Sequence, residues 1–248
     1  MYREQRLKKI LALVAEQGEL SAQRAMEELK VSRDTVRRDF SLLERQQKVT
    51  RTHGGILPLV DQSPIPAFKE RINRLTKEKK QMAELASTFL QKGGHYFFDV
   101  STSLLHLAQL TDLPITVYSH SLDNALVFSE NEQVDFHLLG GRFYAENRFY
   151  FSLKEAELLE SVNLDIAFIG AAGLRQGEVT FSEAEDVVVK ALALKRARTK
   201  VLIAEIDKWD CQAPHVLCRL TAFDYLICDR EPPKELLESV GRQTEIIY

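Results

Sequence analysis

Apolar residues recur three and four positions apart in three separate stretches of the first fifty residues. Leu7, Ile10, Leu11 and Val14 share one side of a 3.6-residue helix, and Gly18 is a natural stop. Ala22, Ala25, Met26 and Leu29 repeat the pattern behind Ser21, a residue suited to capping a helix start. Val36, Phe40 and Leu43 repeat it again behind Ser32. Only Lys30-Val31-Ser32 separates the second pattern from the third. Helices joined so tightly must pack at a steep angle, which predicts a helix-turn-helix. Val49, Arg51 and His53 then alternate as a strand would, Gly54-Gly55 turns, and Ile56 and Leu57 resume. That is a β-hairpin directly after the third helix, in the position of a wing.

Residues 58–67, PLVDQSPIPA, hold three of the seven prolines and no periodicity, the mark of a linker. A charged amphipathic helix follows, with Met82, Leu85, Ala86, Phe89 and Leu90 on one side and Gly93-Gly94 at its end. Six short apolar runs come next: HYFFDV, ITVYS, VDFHLL, DIAFIG, KVLIA and DYLICD. Amphipathic segments such as 121–130 and 183–197 lie between most of them, and TEIIY at the C-terminus offers an edge strand. Buried strands alternating with helices predict an α/β fold, a largely parallel sheet covered on both faces. The expected organisation is a DNA-binding-sized unit at 1–58, a linker at 59–75 and an α/β unit at 76–248.

Charge sharpens the first unit. The net charge of the 248-residue chain is −3, but residues 1–60 hold 12 Lys+Arg against 8 Asp+Glu. A basic head on an acidic body suggests a polyanion-binding module joined to something else. With Val36, Phe40 and Leu43 inward, Asp34, Arg37, Arg38, Ser41 and Arg45 point outward, with Arg33 and Thr35 on the flanks. Arginines so placed can fork onto guanine edges or grip phosphates, and the helix N-terminus favours anions. Arg51 and His53 fall at the hairpin tip, within reach of phosphate or the minor groove. The competing view is a solvated helix stitched by pairs such as Asp34–Arg38. No stretch approaches the ~18 apolar residues of a membrane span, and MYREQRLKKI lacks the apolar core of a signal peptide. Three unpaired cysteines, Cys211, Cys218 and Cys228, fit a reducing cytoplasm. Cys211, His215 and Cys218 include zinc-ligand types, but a fourth ligand is missing, so unmetallated side chains are expected. No metal, cofactor or catalytic motif is expected, and His106 and His137 read as packing histidines.

In parallel sheets, ligands bind beyond the carboxyl ends of the strands. Four loops stand there: Asp99-Val100-Ser101-Thr102-Ser103, Ser119-His120-Ser121, Gly140-Gly141 and Glu205-Ile206-Asp207-Lys208. Singly, their hydroxyls are most simply helix caps. Together they predict a pocket for a small polar ligand, with phosphate favoured at the helix start of the first loop.

Residues 31–55, VSRDTVRRDFSLLERQQKVTRTHGG, resemble the winged-helix signature of the DeoR/GlpR family of bacterial transcriptional repressors. That signature reads V-S-x-x-T-[IV]-R-R-D-L-x-x-L-E, then R-x-H-G-G; Phe40 replaces its usual Leu. The second half resembles the family's effector-sensing domain, whose Rossmann-like fold is similar to sugar-phosphate isomerases. The family's Asp-x-Gly-Thr-Thr, Thr-Asn-Ser and Asp-Ser-Ser-Lys correspond to Asp99–Ser103, Ser119–Ser121 and 205–208; Gly140-Gly141 match. Lys190 matches a family lysine that follows an acidic stretch, here Glu185-Asp186, although Val188 stands where many members have Glu. The runs FFD, YSHSL and DIAFIGAAG look nearest to the deoxyribonucleoside-operon branch. The resemblance implies a cytoplasmic repressor of a sugar or nucleoside catabolic operon. Ser32, Arg33, Thr35, Arg37, Arg38, Arg51 and His53 would meet double-stranded operator DNA. Asp99, Ser101, Thr102, Ser103, Ser119, His120, Ser121, Gly140, Gly141, Lys190, Asp207 and Lys208 would hold a phosphorylated sugar. A homodimer or tetramer is expected, because helix-turn-helix proteins usually read paired half-sites. The alternative is an isomerase-like enzyme carrying a DNA-binding appendage, with Asp99, Asp207, Lys190 and Lys208 moving protons.

Overall fold

The structure, a computed structural model, describes residues 3–17, 20–45, 48–52, 54–58, 68–74 and 76–248. The chain divides into two compact units, Met1–Ser63 and Pro64–Tyr248. The linker residues 59–67 and 75 lie outside the described residues, as does His53.

In the first unit, helix α1 (Arg3–Gln17) is followed by strand β1 (Leu20–Ser21), helices α2 (Ala22–Leu29) and α3 (Arg33–Arg45), and strands β2 (Val49–Arg51) and β3 (Gly55–Pro58). The Ser21 hydroxyl accepts from the Arg24 N–H at 3.1 Å, capping α2 as its sequence suggests. Lys30 ends α2 in the left-handed region, φ 51° and ψ 49°, which turns the chain within three residues. Ile10, Val14, Leu20, Ala25, Leu29, Val36, Phe40, Leu43, Val49 and Ile56 form the core. Every inward position expected on the third helix is among them. Strand β1 escapes the periodicity because it has only two residues; it pairs antiparallel with β3, giving the order β1-β3-β2. The pairing explains Gly55: a Cβ there would stand 2.3 Å from the Leu20 carbonyl oxygen.

The second unit begins with α4 (Phe68–Arg71) and α5 (Thr76–Ser87). Strand β4 (His95–Phe98), α6 (Thr102–Leu110), β5 (Thr116–Ser119), α7 (Leu122–Phe128) and β6 (Asp135–Leu138) follow. Then come a hairpin of β7 (Arg142–Tyr144) and β8 (Phe149–Phe151), α8 (Leu153–Ala156), β9 (Leu164–Ile169), β10 (Gly173–Arg175) and β11 (Glu178–Phe181). The chain closes with α9 (Ala184–Arg196), β12 (Ala197–Ile203), β13 (His215–Arg219), β14 (Tyr225–Ile227), α10 (Lys234–Ser239) and β15 (Glu245–Ile247). A seven-stranded parallel sheet runs β15-β14-β12-β9-β4-β5-β6. All seven strands fall on the apolar runs read from the sequence.

Alternation along the central strands feeds two cores. Phe97, Ala167, Ile169 and Leu202 face one side; Tyr96, Phe98, Phe168, Val201 and Ile203 face the other. Two antiparallel additions were not anticipated: the hairpin β7–β8 and the small sheet β10-β11-β13. Their strands span three to five residues and fall outside the apolar runs read from the sequence. His106 packs as expected. His137 does not: it lies on edge strand β6 with about half its side chain exposed, stacked on Tyr118. Edge strands leave one flank open, so an apolar-looking run need not be buried.

The strand order fixes where a ligand can sit. The chain moves outward from β4 through β5 to β6, then returns to β9 on the other flank of β4. That reversal makes a topological switch point between β4 and β9, and a crevice opens beyond their carboxyl ends. Asp99 follows β4 there, and Gly170 follows β9.

Candidate nucleic-acid interface and ligand cleft

Helix α3 presents Arg33, Asp34, Arg37 and Arg38 to solvent. Ser32 Oγ accepts from the Thr35 N–H at 3.4 Å and lies 3.0 Å from Thr35 Oγ1, so both hydroxyls secure the helix start. Arg3 of α1 joins Asp34, Arg37, Arg38, Ser41, Leu42 and Arg45 around an open groove of about 490 Å³. Among the described residues, Asp34 makes no ion pair with Arg38. The arginines of this face are therefore not tied up by the i, i+4 pairing that a merely solvated helix would show.

Asp39 sits on the inner side of α3 rather than on its exposed face. It is buried, 1% exposed, and takes a forked contact from Arg6 of α1, Nε at 2.5 Å and Nη2 at 3.1 Å. Its bond raises the Arg6 pKa. Arg3 stands 4.0 Å from the same carboxylate. Asp39 thus fixes α3 against α1 from beneath while Arg37 and Arg38 remain outside. Arg51, the last residue of β2, pairs with Ile56 beside the hairpin turn; it is half-buried, its guanidinium 5.3 Å from the Phe40 ring centre.

In the second unit a buried ionic cluster lies at the base of the crevice at the switch point. Lys190, 0% exposed, donates to Asp99 Oδ1 at 2.9 Å and to Asp186 Oδ2, and lies 4.0 Å from the Phe181 ring centre. Asp186 also accepts from His120 Nε2 at 2.8 Å. Burial opposes ionisation of Asp186, but Lys190 and then His120 outweigh it and hold the carboxyl at about 2. Asp99 Oδ2 accepts from the Gly170 N–H at 2.9 Å. A Cβ on Gly170 would stand 2.8 Å from Ser101 Cβ, so glycine is needed for this approach. Asp99, His120 and Asp186 bring possible ligand atoms within 4.8 Å of one another. The Lys190 ammonium lies on both carboxylates, however, and already supplies the positive charge a metal would bring.

A second cluster adjoins the first. Glu205 pairs with Lys208 at 2.5 Å and Lys79 at 3.5 Å, and accepts from Ser103 Oγ at 3.4 Å. Burial again opposes ionisation, and Lys208 with Lys79 brings the Glu205 carboxyl to about 2. Burial pushes the Lys79 pKa down despite Glu205. Beside these groups Arg71, Val100, Ser101, Asn147, Ala171, Ala172, Phe181, Ser182, Glu183 and Asp186 line a cleft.

The structure gathers most of the sequence-read residues here. Ser101 and Ser121 cap α6 and α7 through the N–H groups of Ser103 and Asn124. Ser119 Oγ accepts from the Ser121 N–H and from Asn124 Nδ2, both at 3.1 Å. Thr102 and Ser103 form the buried first turn of α6. Two of the four loops place residues elsewhere. Asp207 is exposed and pairs with Arg230 at 2.6 Å; the acid turned inward on that loop is Glu205. Gly141, φ +126°, serves the hairpin, where a Cβ would stand 2.3 Å from the Phe151 carbonyl oxygen, and Gly140 has open space beside it. Cys218 and Cys228 carry thiols that burial pushes up to about 11 and about 12, away from the thiolate form.

The site holds residues the sequence reading passed over: Arg71, Lys79, Asn124, Asn147, Gly170 and Glu183. Lys79 had a signal. Lys79, Met82, Ala83 and Ala86 are the buried positions of α5, so a lysine occupies the apolar stripe. On α9, Asp186 and Lys190 share the buried stripe with Val189 and Ala193 in the same way. Arg71 and Asn147 come from segments without periodicity and carried no such mark.

Comparison with known proteins agrees over nearly the whole chain. Residues 6–60 match the model of the DeoR-like helix-turn-helix domain, and residues 74–230 that of the DeoR C-terminal sensor domain. The HTH-type transcriptional repressor GlcR of Bacillus subtilis is 32% identical over 244 residues, covering 98% of this chain and 94% of its own. The deoxyribose operon repressor of Escherichia coli K12 is 28% identical, covering 97% and 96%. The lactose phosphotransferase system repressor of Lactococcus lactis is 27% identical, covering 100% and 99%. A solved D-ribose-5-phosphate isomerase overlaps 54% of this chain and 54% of its own, with 14% identity and a TM-score of 0.40.

Proposed function

Because this chain belongs to the DeoR family of helix-turn-helix transcriptional repressors, we propose that its α3 face reads a double-stranded operator and that its second unit senses a phosphorylated sugar. It is a DNA-binding regulator rather than an enzyme. The observation that carries the DNA reading is the outward set Arg33, Arg37 and Arg38, free of mutual ion pairing with Asp34, on a helix pinned by Asp39. Arginines on a rigid helix can fork onto guanine edges, while the Ser32–Thr35 end and its free N–H groups suit phosphate. Arg51 steadies the hairpin against Phe40, and His53, two residues further along the sequence, is a second candidate for DNA contact.

For the sensor, support comes from the polar crevice at the switch point and from relatives whose names refer to a deoxyribose operon and a lactose phosphotransferase system. Asp99, Lys190, His120 and Asp186 form its rigid floor. Ser101, Thr102, Ser103 and Lys208 border the position suited to a phosphate, at the start of α6. An effector weakens operator binding to the extent that it prefers the arrangement that does not bind DNA. The regulator works in the cytoplasm as a homodimer or tetramer, each pair of α3 helices meeting two half-sites. Among the described residues no helix is long and apolar enough to cross a membrane. Gel-shift titration of genomic fragments with the full chain tests this. Retention of specific fragments, and their release by a phosphorylated monosaccharide, is expected; binding no tighter than to random DNA overturns it.

A further inference from the structure

Arg71 is chemically unfinished. Its Nη2 donates to Asn147 Oδ1 at 2.8 Å, and its guanidinium lies 5.5 Å from the Phe68 ring centre. Its Nε is buried and has no partner. Among the described residues it makes no ion pair, although Glu205, Asp186, Asp99 and Glu183 all act on it through their charge. Burial lowers its pKa against those carboxylates. An arginine cannot escape this cost by losing its proton at neutral pH. A desolvated guanidinium with an idle donor, on the wall of a cleft, is built to receive an oxyanion.

The other walls complete a receptor for a sugar. Ser101 and Ser182 bring hydroxyls, and Asn147, Glu183 and Asp186 bring amide and carboxylate groups that bind sugar hydroxyls. Asn147 also spans the cleft wall: it accepts from Arg71 and donates from Nδ2 to Glu183 Oε1 at 2.8 Å. The backbone around Arg71 is held by Lys79. Lys79 donates to the carbonyl oxygens of Arg71 at 2.5 Å and Arg74 at 2.7 Å while pairing with Glu205. Helix α4, which carries Arg71, follows directly on residues 59–67 that lead from the DNA-binding unit.

Resting on the sensor reading above, we propose that Arg71 is a direct effector contact that grips the phosphate of a phosphorylated monosaccharide. The same residue places the contact on α4, the first helix of the second unit in chain order. A ligand on Arg71 draws on its idle Nε and competes with Asn147 for the guanidinium, so it changes how α4 is held.

Calorimetric titration of the full-length protein tests this, with inorganic phosphate, a panel of aldose and ketose monophosphates, and their unphosphorylated parents as probes. The wild type is expected to bind at least one monophosphate more tightly than its parent sugar. Arg71→Gln should weaken that binding tenfold or more, and Arg71→Lys, which keeps the charge but loses the fork, by less. Both variants should bind operator DNA as the wild type does when no sugar is present, which also shows that they fold. A wild type that binds a monophosphate while Arg71→Gln binds it within twofold overturns the assignment of Arg71 and leaves the sensor reading standing. A wild type that binds no member of the panel overturns both.

Discussion

Replacing Lys190 with methionine removes one charge and leaves two facing each other. Asp99 and Asp186 are 0% and 6% exposed, and both lose their cation. Breaking a buried ion pair by deleting one partner costs about 3–5 kcal/mol. The pKa points the same way: Asp186 falls from 3.8 to about 2, which at 1.36 kcal/mol per unit is roughly 2–3 kcal/mol, with Lys190 the largest favourable cause. In a unit of this size each kcal/mol moves the melting midpoint by about 2–4 °C, so Lys190→Met should lower it by about 5–20 °C at pH 7. The pH dependence has a definite sign. In the wild type the depressed carboxyl of Asp186 contributes stability that is complete above its unfolded pKa of 3.8 and fades as pH falls toward 2. In the variant, burial without Lys190 raises the carboxyl pKa, so the variant gains stability as pH falls from 7 to 5. Differential scanning calorimetry of the full chain at both pH values reads this. The gap between the proteins should narrow at pH 5. A variant melting within 2 °C of the wild type at pH 7, or a gap that widens at pH 5, would show that Lys190 does not neutralise the pair.

Three other outcomes follow from the same geometry. Arg37→Ala or Arg38→Ala should weaken operator binding by roughly 1–3 kcal/mol where the residue forks onto a base; unchanged gel-shift affinity in both would sink the α3 assignment. Asp39→Ala should destabilise the first unit by roughly 1–3 kcal/mol, the value of hydrogen bonds to a charged partner, seen as a lower urea midpoint of its melt and weakened operator binding; wild-type values for both would show that the Arg6 tie does not hold α3. Gly141→Ala, forced to φ +126° with its Cβ on the Phe151 carbonyl, should cost roughly 1–3 kcal/mol in denaturant unfolding, and an unchanged midpoint would contradict the tight approach of the hairpin.

How much of this was readable varies with the physics of each element. The three helices of the first unit announce themselves through a 3.6-residue period, and the seven parallel strands through apolar runs set between amphipathic segments. The strands β1, β7, β8, β10, β11 and β13 lie outside such runs, and antiparallel tertiary pairing makes them strands. In the site, the loops at strand ends were legible because parallel sheets open their crevice there. The inward turn was not legible: Glu205 and Asp207 lie two residues apart on one loop, and only the fold decides that Glu205 meets Lys79 and Lys208 while Asp207 meets Arg230. Asp39 is not among the residues singled out in the sequence; its placement three residues after Val36 and four before Leu43 puts it at the margin of the apolar stripe, where Arg6 meets it. Family resemblance supplied Lys190; spacing explains it, since Asp186 precedes it by one helical turn.

The central claim is that one chain couples an arginine-faced DNA reader to a phosphorylated-sugar sensor. Its most direct test is selection of fragments of the source genome on the full-length protein, sequenced with and without a panel of phosphorylated monosaccharides. The account predicts enrichment of a few fragments carrying paired half-sites, loss of that enrichment in Arg37→Ala with Arg38→Ala, and its release by a phosphorylated sugar but not by the parent sugar. Enrichment no greater than bulk DNA, or enrichment indifferent to every phosphorylated sugar, would contradict it.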